Sequence, residues 1–137
     1  MALTYLADTS ALTRLRDDGV RQRILDLAQL SHLGVSNLCR LELGYSARSG
    51  SEWDEIQEAI RMLSVVDIQD SDVESALMVQ RSLALAGHRG RKIVDLLVAA
   101  AARRLRLVVL HYDRDFDYIA QITGQPCEWI APAGSLD

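Results

Sequence analysis

Short apolar runs alternate along the chain with segments of helical periodicity. The runs span four or five residues and end at polar or turn-forming residues, which is typical of buried strands. The predicted strands cover residues 3–7, 32–36, 64–68, 107–110 and 128–131, the last at a sheet edge. Strands that alternate with helices indicate βαβ units and a mainly parallel sheet covered on both faces. The pattern therefore predicts an α/β fold, a three-layer α/β/α sandwich whose sheet has four to five strands.

Two of the intervening helices have clear limits. Asp70 or Ser71 is predicted to be the N-cap of one helix, because both residue types favour that position, and the helix is predicted to end near Gly87. Residues 93–105 form another helix that is apolar around most of its circumference. A helix without a polar face is expected to be largely buried.

The length and composition are those of one ordinary domain. The 137 residues can bury a substantial core, and no repeat or linker divides them, so we predict a single domain over residues 1–137. Asp8 interrupts the first apolar run, which excludes a signal peptide. The longest near-apolar stretch, residues 93–102, is too short to span a bilayer. These features predict a cytoplasmic protein without a membrane partner.

The net charge of −4 does not by itself indicate a nucleic-acid partner. Fourteen of the fifteen basic residues are arginines, and Lys92 is the one lysine. Arginine suits phosphate recognition because its planar guanidinium donates two directed hydrogen bonds. The base composition of the genome would explain the same bias, so both explanations stay open.

The cysteines do not suggest a metal cluster or a disulfide framework. Cys39 and Cys127 are isolated, no CxxC motif is present, and the three histidines are scattered. Both thiols are therefore predicted to be packed residues, and a zinc site is disfavoured.

Two of the carboxylates follow the carboxyl ends of predicted parallel strands, where such sheets bind their ligands. Asp8 follows the first predicted strand, and Asp113 follows the fourth. Ligands of such sheets bind beyond the carboxyl ends of the strands, so these two acids are expected to share one region. Each acid also has an ordinary explanation: Asp8 can cap a helix, Glu42 can be an exposed helix residue, Asp95 suits a helix N-terminus and Asp113 suits a turn.

Asp95 is the acid that is hardest to explain by local structure. It lies among apolar residues in the predicted buried helix, where an unpaired carboxylate is costly or becomes protonated. Glu42, flanked by leucines, is a similar but weaker case. Converging carboxylates repel each other, and a hard cation such as Mg²⁺ or Mn²⁺ would relieve that repulsion. Such a site can activate water for hydrolysis at phosphorus.

Four short motifs, in order along the chain, resemble the signatures of PIN-domain ribonucleases. Asp8-Thr9-Ser10 follows the first strand, and Glu42 is the isolated acid of the second helical region. Residues 94–102 resemble the family's Asp-x-x-Ile-Ala-Ala motif, and residues 111–116 resemble its closing Thr-x-Asp-x-Asp-Phe motif. The resemblance covers essentially the whole chain. Because the chain is short, it is most similar to the VapC toxins of VapBC toxin–antitoxin pairs.

The resemblance implies a PIN-like sandwich with a metal-dependent endoribonuclease site. Four carboxylates would be the catalytic residues and the ligands of Mg²⁺ or Mn²⁺: Asp8, Glu42, Asp95 and Asp113. Asp115 would be an additional or water-mediated ligand, and Ser10 would orient the carboxylate of Asp8. His111 stands where Thr or Asn is frequent, and Ala101 where a hydroxyl residue is frequent. Neither departure removes a carboxylate.

The resemblance also implies substrates and partners. Proteins of this family cleave single-stranded or loop regions of RNA, such as tRNA, ribosomal RNA or mRNA. A VapC-type toxin would form a homodimer and a heterotetramer or larger complex with a VapB-type antitoxin. The C-terminal segment of that antitoxin would cover the acidic site.

Single-stranded RNA requires phosphate contacts and stacking surfaces. Candidate substrate-binding residues lie close in sequence to the predicted acids. They are Arg14, Arg89, Arg91, Lys92, Tyr112 and Arg114. Polar residues are also common on solvent-exposed loops, which would explain these residues equally well.

Other classes share parts of this pattern. A Mg²⁺-dependent phosphoacceptor signalling domain usually has an acidic pair after strand one and a lysine late in the sheet. Here Asp8 stands alone and Lys92 precedes a helix. A phosphatase of the haloacid-dehalogenase type would need a second acid where the chain has Ser10. An RNA-binding module without catalysis stays an alternative, disfavoured by the set of four acids.

Overall fold

The computed structural model describes residues 2–136, and within them the chain forms five strands and seven helices. The strands are β1 (Tyr5–Ala7), β2 (Leu33–Ser36), β3 (Ser64–Val66), β4 (Val108–His111) and β5 (Cys127–Trp129). The helices are α1 (Thr9–Leu12), α2 (Asp18–Gln29), α3 (Asn37–Tyr45), α4 (Gly50–Ala59), α5 (Asp70–Leu85), α6 (Ile93–Leu105) and α7 (Asp115–Thr123).

All five strands are parallel and form one sheet in the order β3-β2-β1-β4-β5. In the central strand, Tyr5 is in register with Leu33 of β2 on one side and with Val108 of β4 on the other. The predicted α/β sandwich is confirmed, with the larger of the two expected strand numbers. β5 is an edge strand as predicted, although it begins at Cys127 rather than at residue 128.

Burial on both faces explains why these short segments form a parallel sheet. All four residues of β2 are buried, as are Leu6 and Ala7 of β1. Strands covered by helices on both faces read as continuous apolar runs. Gly34 lets β2 and β3 approach each other, because a Cβ atom at this position would lie 3.2 Å from the carbonyl oxygen of Ser64.

The helices agree with their predicted limits in most places. α6 is largely buried as expected, although Ile93 in its first turn is exposed. Gly87, at a φ of +84°, follows the end of α5 as predicted. The predicted N-cap of α5, Asp70 or Ser71, is wrong by one residue, since the helix itself begins at Asp70. Gln69 is the N-cap, and its N–H donates to the Asp72 carboxylate at 2.9 Å.

The sheet places the ends of β1 and β4 side by side. The chain passes from β1 to β2 on one side of the sheet and returns to β4 on the other, so the strand order reverses at β1. Ligands of doubly wound sheets bind in the crevice at such a reversal. The N–H of Asp8 donates to the carbonyl oxygen of Leu110 at 2.9 Å, which joins the two strand ends directly.

No helix within residues 2–136 combines the length and the apolar character needed to cross a membrane.

Candidate metal centre

Asp8 both caps a helix and enters the acidic site. It directly precedes α1, and its Oδ2 atom accepts the N–H of Ser10 at 3.0 Å. Burial raises the pKa of this carboxyl, and the hydrogen bonds from Ser10 oppose that rise. The negative charges of Glu42 and Asp113 raise the pKa further. Asp8 is therefore a helix cap, as its ordinary explanation suggested, and it also lies close to other acids.

Thr9 and Ser10 connect Asp8 to the rest of the site. The Oγ1 atom of Thr9 donates to Oε1 of Glu42 at 2.7 Å. The Oγ atom of Ser10 accepts the N–H of Tyr112 at 2.9 Å and so ties the loop after β1 to the loop after β4. The role of Thr9 was not predicted, although its place inside the Asp-Thr-Ser motif was an available signal.

Glu42 lies on the exposed side of α3. Leu41 beside it is 70% exposed, and only Leu43 of the flanking pair is buried. The expectation that Glu42 resembles a buried carboxylate is therefore wrong, because the helix turns Glu42 and Leu41 outward together. Glu42 is held beside Asp8 by its hydrogen bond from Thr9.

Asp95 is a buried carboxylate that lacks a full set of partners. It lies in the first turn of α6 and is 4% exposed. Its Oδ2 atom has no hydrogen-bond partner among the described residues. Burial raises the pKa of Asp95 to about 8, and the charges of Asp8 and Asp113 contribute to the rise. The protein therefore keeps Asp95 largely protonated at neutral pH unless a cation binds nearby.

Two ion pairs join the loop before α6 to the acids after β4. Lys92 Nζ lies 2.7 Å from Asp113 Oδ2, and Arg91 Nη1 lies 2.7 Å from Asp115 Oδ1. Asp113 Oδ1 also accepts the N–H of Asp115 at 2.9 Å. Burial opposes ionisation of Asp113, but the hydrogen bonds from Lys92 and from the Asp115 N–H hold its pKa below the usual value.

The candidate ligands form two adjoining groups. Within each group, one ligand atom of every residue lies within 4.8 Å of the others. The first group is Asp95, Asp113 and Asp115, and the second is Asp8, Cys39 and Glu42. The charge of Asp8 raises the pKa of Asp95, so the groups are electrostatically continuous. The structure thus brings together the four predicted acids and Asp115.

The donor atoms of this cluster fit a hard divalent cation. Carboxylate oxygens are the ligands that Mg²⁺ and Mn²⁺ prefer, and the Oδ2 atom of Asp95 has no hydrogen-bond partner among residues 2–136. Cys39 is the one soft donor, with Sγ 3.8 Å from Asp8 Oδ1. Burial raises the pKa of Cys39 to about 11, so it stays a thiol and is a poor metal ligand. Its full burial agrees with the predicted packing role.

Arg14 and Tyr112, two of the predicted substrate residues, support the loops of the site. Arg14 Nη1 donates to the carbonyl oxygen of Ser10 at 2.9 Å, and its guanidinium lies 4.6 Å from the centre of the Tyr112 ring. The Tyr112 hydroxyl accepts the N–H of Leu136 at 2.9 Å. Both side chains are half-buried and help to hold the acids in place.

The other substrate candidates lie on the loops beside Asp113 and Asp115. Arg89 and Arg114 are exposed. Arg91 and Lys92 are engaged in the ion pairs with the acids, which the sequence did not predict. Of these four basic residues, Arg91 and Lys92 therefore contact the cluster directly.

His111 was predicted only as a departure from the family motif. It is fully buried, with its ring centre 4.9 Å from that of Phe116 and 5.0 Å from that of Trp129. Burial lowers the pKa of His111 to about 4, so the ring is neutral at physiological pH. Its Nδ1 atom accepts the N–H of Asp113 at 3.1 Å. His111 therefore positions the backbone of a candidate ligand.

A groove of about 950 Å³ runs beside Glu42, between α1, α3 and α4. Its apolar lining includes Leu41, Tyr45 and Trp53, and Tyr45 is 92% exposed. Gly44 leaves room for the Trp53 ring, because a Cβ atom there would lie 2.7 Å from the indole nitrogen. An exposed apolar surface of this kind is typical of a binding site.

The family model of the PIN domain matches residues 5–122, and the chain belongs to the PIN-domain family. Ribonuclease VapC51 of Mycobacterium tuberculosis is 47% identical to this chain over 100% of both sequences. Ribonuclease VapC18 of the same organism is 38% identical, over 98% of this chain and 100% of its own. Within the PIN-domain family, the chain is therefore grouped with the VapC ribonucleases, which confirms the resemblance found in the sequence.

A solved structure supports the fold independently of close sequence similarity. The DNA-bound VapBC of Salmonella typhimurium has a TM-score of 0.80 to this chain at 22% identity. The match covers 94% of this chain and 99% of that chain. The three-layer arrangement of the PIN fold is thus common to both.

Proposed function

We propose that the protein, with residues 1–137 acting as one domain, is a Mg²⁺- or Mn²⁺-dependent endoribonuclease and the toxin of a VapBC-type pair. The observation that carries the proposal is the convergence of Asp8, Asp95 and Asp113 at the ends of β1 and β4. One oxygen of Asp95 is buried there with no hydrogen-bond partner in the part of the chain that the structure describes. The names of the VapC relatives support RNA as the substrate.

The residues of the site divide between cation binding and support. The candidate ligands are Asp8, Glu42, Asp95 and Asp113, with Asp115 as an additional or water-mediated ligand. A bound Mg²⁺ or Mn²⁺ would lower the pKa of a water molecule and stabilise charge on the phosphate. Ser10 and His111 hold the loop after β4 through the N–H groups of Tyr112 and Asp113. Arg89 and Arg114, exposed beside the cluster, would bind RNA phosphates.

The substitution Asp8→Asn tests the catalytic assignment. Purified tRNA and ribosomal RNA would be incubated with the parent in Mg²⁺, in Mn²⁺ and with EDTA, and new ends would be sequenced. We expect cleavage that requires the cation, in which water attacks phosphorus and the ribose O3′ leaves, so that the products carry 5′-phosphate and 3′-hydroxyl ends. Asp8→Asn should lose at least about a hundredfold in rate, equivalent to about 2.7 kcal/mol. Asp54→Asn, at an exposed position on α4, is the matched control.

Two results would contradict this proposal. Cleavage by Asp8→Asn at the parental rate would remove Asp8 from the active site. RNA binding by the parent without any new ends, in either metal, would favour the RNA-binding module instead. Cyclic 2′,3′-phosphate ends would indicate attack by the ribose hydroxyl rather than by water.

We propose that a VapB-type antitoxin covers the acidic cluster with its C-terminal segment and lies in the groove beside Glu42. The apolar lining suits an amphipathic segment, and the acids suit an arginine that donates paired hydrogen bonds. Co-expression with the small protein encoded beside the gene tests this. Leu41→Asp should prevent co-purification, whereas Leu77→Asp, exposed on α5, should not. Equal loss of binding in both variants would contradict the assignment of the groove.

The assembly and the compartment follow from the same proposal. We expect a homodimer alone and a heterotetramer or larger complex with the antitoxin, to be measured by light scattering. A strictly monomeric toxin would contradict the first expectation. Because RNA and the antitoxin are its partners, we place the protein in the cytoplasm, which fractionation of cells would test.

A further inference from the structure

Lys92 occupies a position where a cation is locally unfavourable. It is the N-cap of α6, and its side chain makes no capping hydrogen bond. Helix N-termini favour Ser, Asn and Asp at this position, and the partial positive charge of the helix end repels a lysine. Departures from such local rules are concentrated at functional sites. The ion pair with Asp113 at 2.7 Å is the contact that offsets the cost.

The ammonium group of Lys92 acts on the whole first group of acids. It donates to Asp113, and the charges of Asp95 and Asp115 also raise its pKa. It nevertheless leaves Oδ2 of Asp95 without a partner. The single charge of Lys92 therefore neutralises only part of the cluster.

Arg91 and Lys92 differ in how firmly they are held. The Arg91 side chain is 27% exposed, pairs with Asp115 and lies with its guanidinium 5.1 Å from the centre of the Tyr118 ring. The Lys92 side chain is 67% exposed, and its ammonium group pairs with Asp113. A flexible four-carbon stem in solvent can move without any change in the backbone. Of the two cations, Lys92 is the one that can leave.

We propose that Lys92 is an exchangeable counter-ion of the metal centre: it pairs with Asp113 when the divalent cation is absent, and it turns to the RNA phosphate when the cation binds. The inference rests on the proposed function, because it requires that cation. A divalent ion and an ammonium group cannot share the Asp113 carboxylate without strong repulsion at such short distances. Release of Lys92 would place a positive charge beside the substrate.

This arrangement predicts opposite effects on metal binding and on RNA binding. Lys92→Met removes the competing charge and should tighten Mg²⁺ binding by about tenfold. The same substitution should raise the KM for RNA several-fold, because a phosphate contact is lost. Lys92→Arg retains the charge and should keep a Mg²⁺ affinity close to that of the parent. Arg103→Met, exposed in the last turn of α6, changes the net charge equally and should leave both values unchanged.

The single lysine of the chain permits a direct measurement on the full-length protein. Reductive methylation with ¹³C-formaldehyde labels Lys92 and the α-amino group, and dimethyl-lysine keeps its charge. Isothermal titration calorimetry would first measure Mg²⁺ binding by the parent and the variants. NMR would then follow the labelled methyl signals during the same titration. We expect the Lys92 signal to shift with the calorimetric saturation curve, while the α-amino signal stays constant.

The possible failures can be distinguished. If the parent does not bind Mg²⁺ or Mn²⁺, both the metal-dependent function and this inference are wrong. If the parent binds Mg²⁺ but the Lys92 signal does not move, the inference alone is overturned. A Lys92→Met protein that melts like the parent but binds Mg²⁺ equally or more weakly would also overturn it. If Lys92→Met fails to fold, the inference is tested by the methyl signal of the parent and by the Mg²⁺ affinity of Lys92→Arg.

Discussion

The buried carboxyl of Asp95 should make the metal-free protein less stable as the pH rises. Its pKa is raised from 3.8 to about 8, mainly by burial. Between these values the folded protein holds a proton that the unfolded chain has released. The free energy of unfolding therefore falls by about 1.4 kcal/mol per pH unit, and the decline ends as the pH passes the folded-state pKa.

The substitution Asp95→Asn removes this titration while conserving the shape of the side chain. At pH 7 the linkage amounts to roughly 4 kcal/mol, which is an upper bound on the gain because the buried amide also needs hydrogen bonds. We expect metal-free Asp95→Asn to be more stable than the parent at pH 7. The difference should shrink toward pH 4, where Asp95 is protonated in both states. The same variant should lose RNA cleavage because a candidate ligand is gone.

Urea denaturation in EDTA, followed by fluorescence from pH 4.5 to 8.5, measures this difference. Asp8 also has a raised pKa, so the parent curve contains more than one contribution, and only the difference from Asp95→Asn is assigned to Asp95. Asp54→Asn is the control, since it removes an exposed carboxylate. Parallel stability curves for the parent and Asp95→Asn would refute the reasoning. Saturating Mg²⁺ should reduce the difference in the free energy of unfolding between Asp95→Asn and the parent, because the cation stabilises the parent alone.

Three further predictions concern the supports of the site and the core. Ser10→Ala loses the hydrogen bond to the loop after β4 and should lower the free energy of unfolding by about 1 kcal/mol, measured in urea. Arg104→Met removes the two hydrogen bonds, of 2.9 and 3.0 Å, that the guanidinium donates to the buried carboxylate of Asp72, and it should cost about 3 kcal/mol, unlike Arg103→Met. Saturating Mg²⁺ should raise the Tm of the parent but not of Asp8→Asn, and equal shifts would contradict the site.

Several features could be predicted because they are properties of short segments. The apolar runs located all five strands to within a few residues, since burial on both faces leaves a continuous hydrophobic signal. Asp95 was identified by its apolar neighbours along the same helix. That argument succeeded because seven of the thirteen residues of α6 are buried, Asp95 among them.

The argument failed for Glu42, although its neighbours are also leucines. α3 is buried on one side only, and the identity of flanking residues does not say which side a given residue occupies. The N-cap of α5, Gln69, was missed because a glutamine cap depends on Asp72 three residues later. Local sequence indicates that a helix is present, but packing decides its orientation.

The sequence by itself determined the α/β class, the positions of the acids and the family to which they belong. The tertiary structure alone decided that β1 and β4 are neighbours, which brings Asp8 and Asp113 together across most of the chain length. It also decided that Lys92 pairs with Asp113 and that Thr9 holds Glu42. These contacts depend on strand order and side-chain direction, and neither is encoded in the periodicity of one segment.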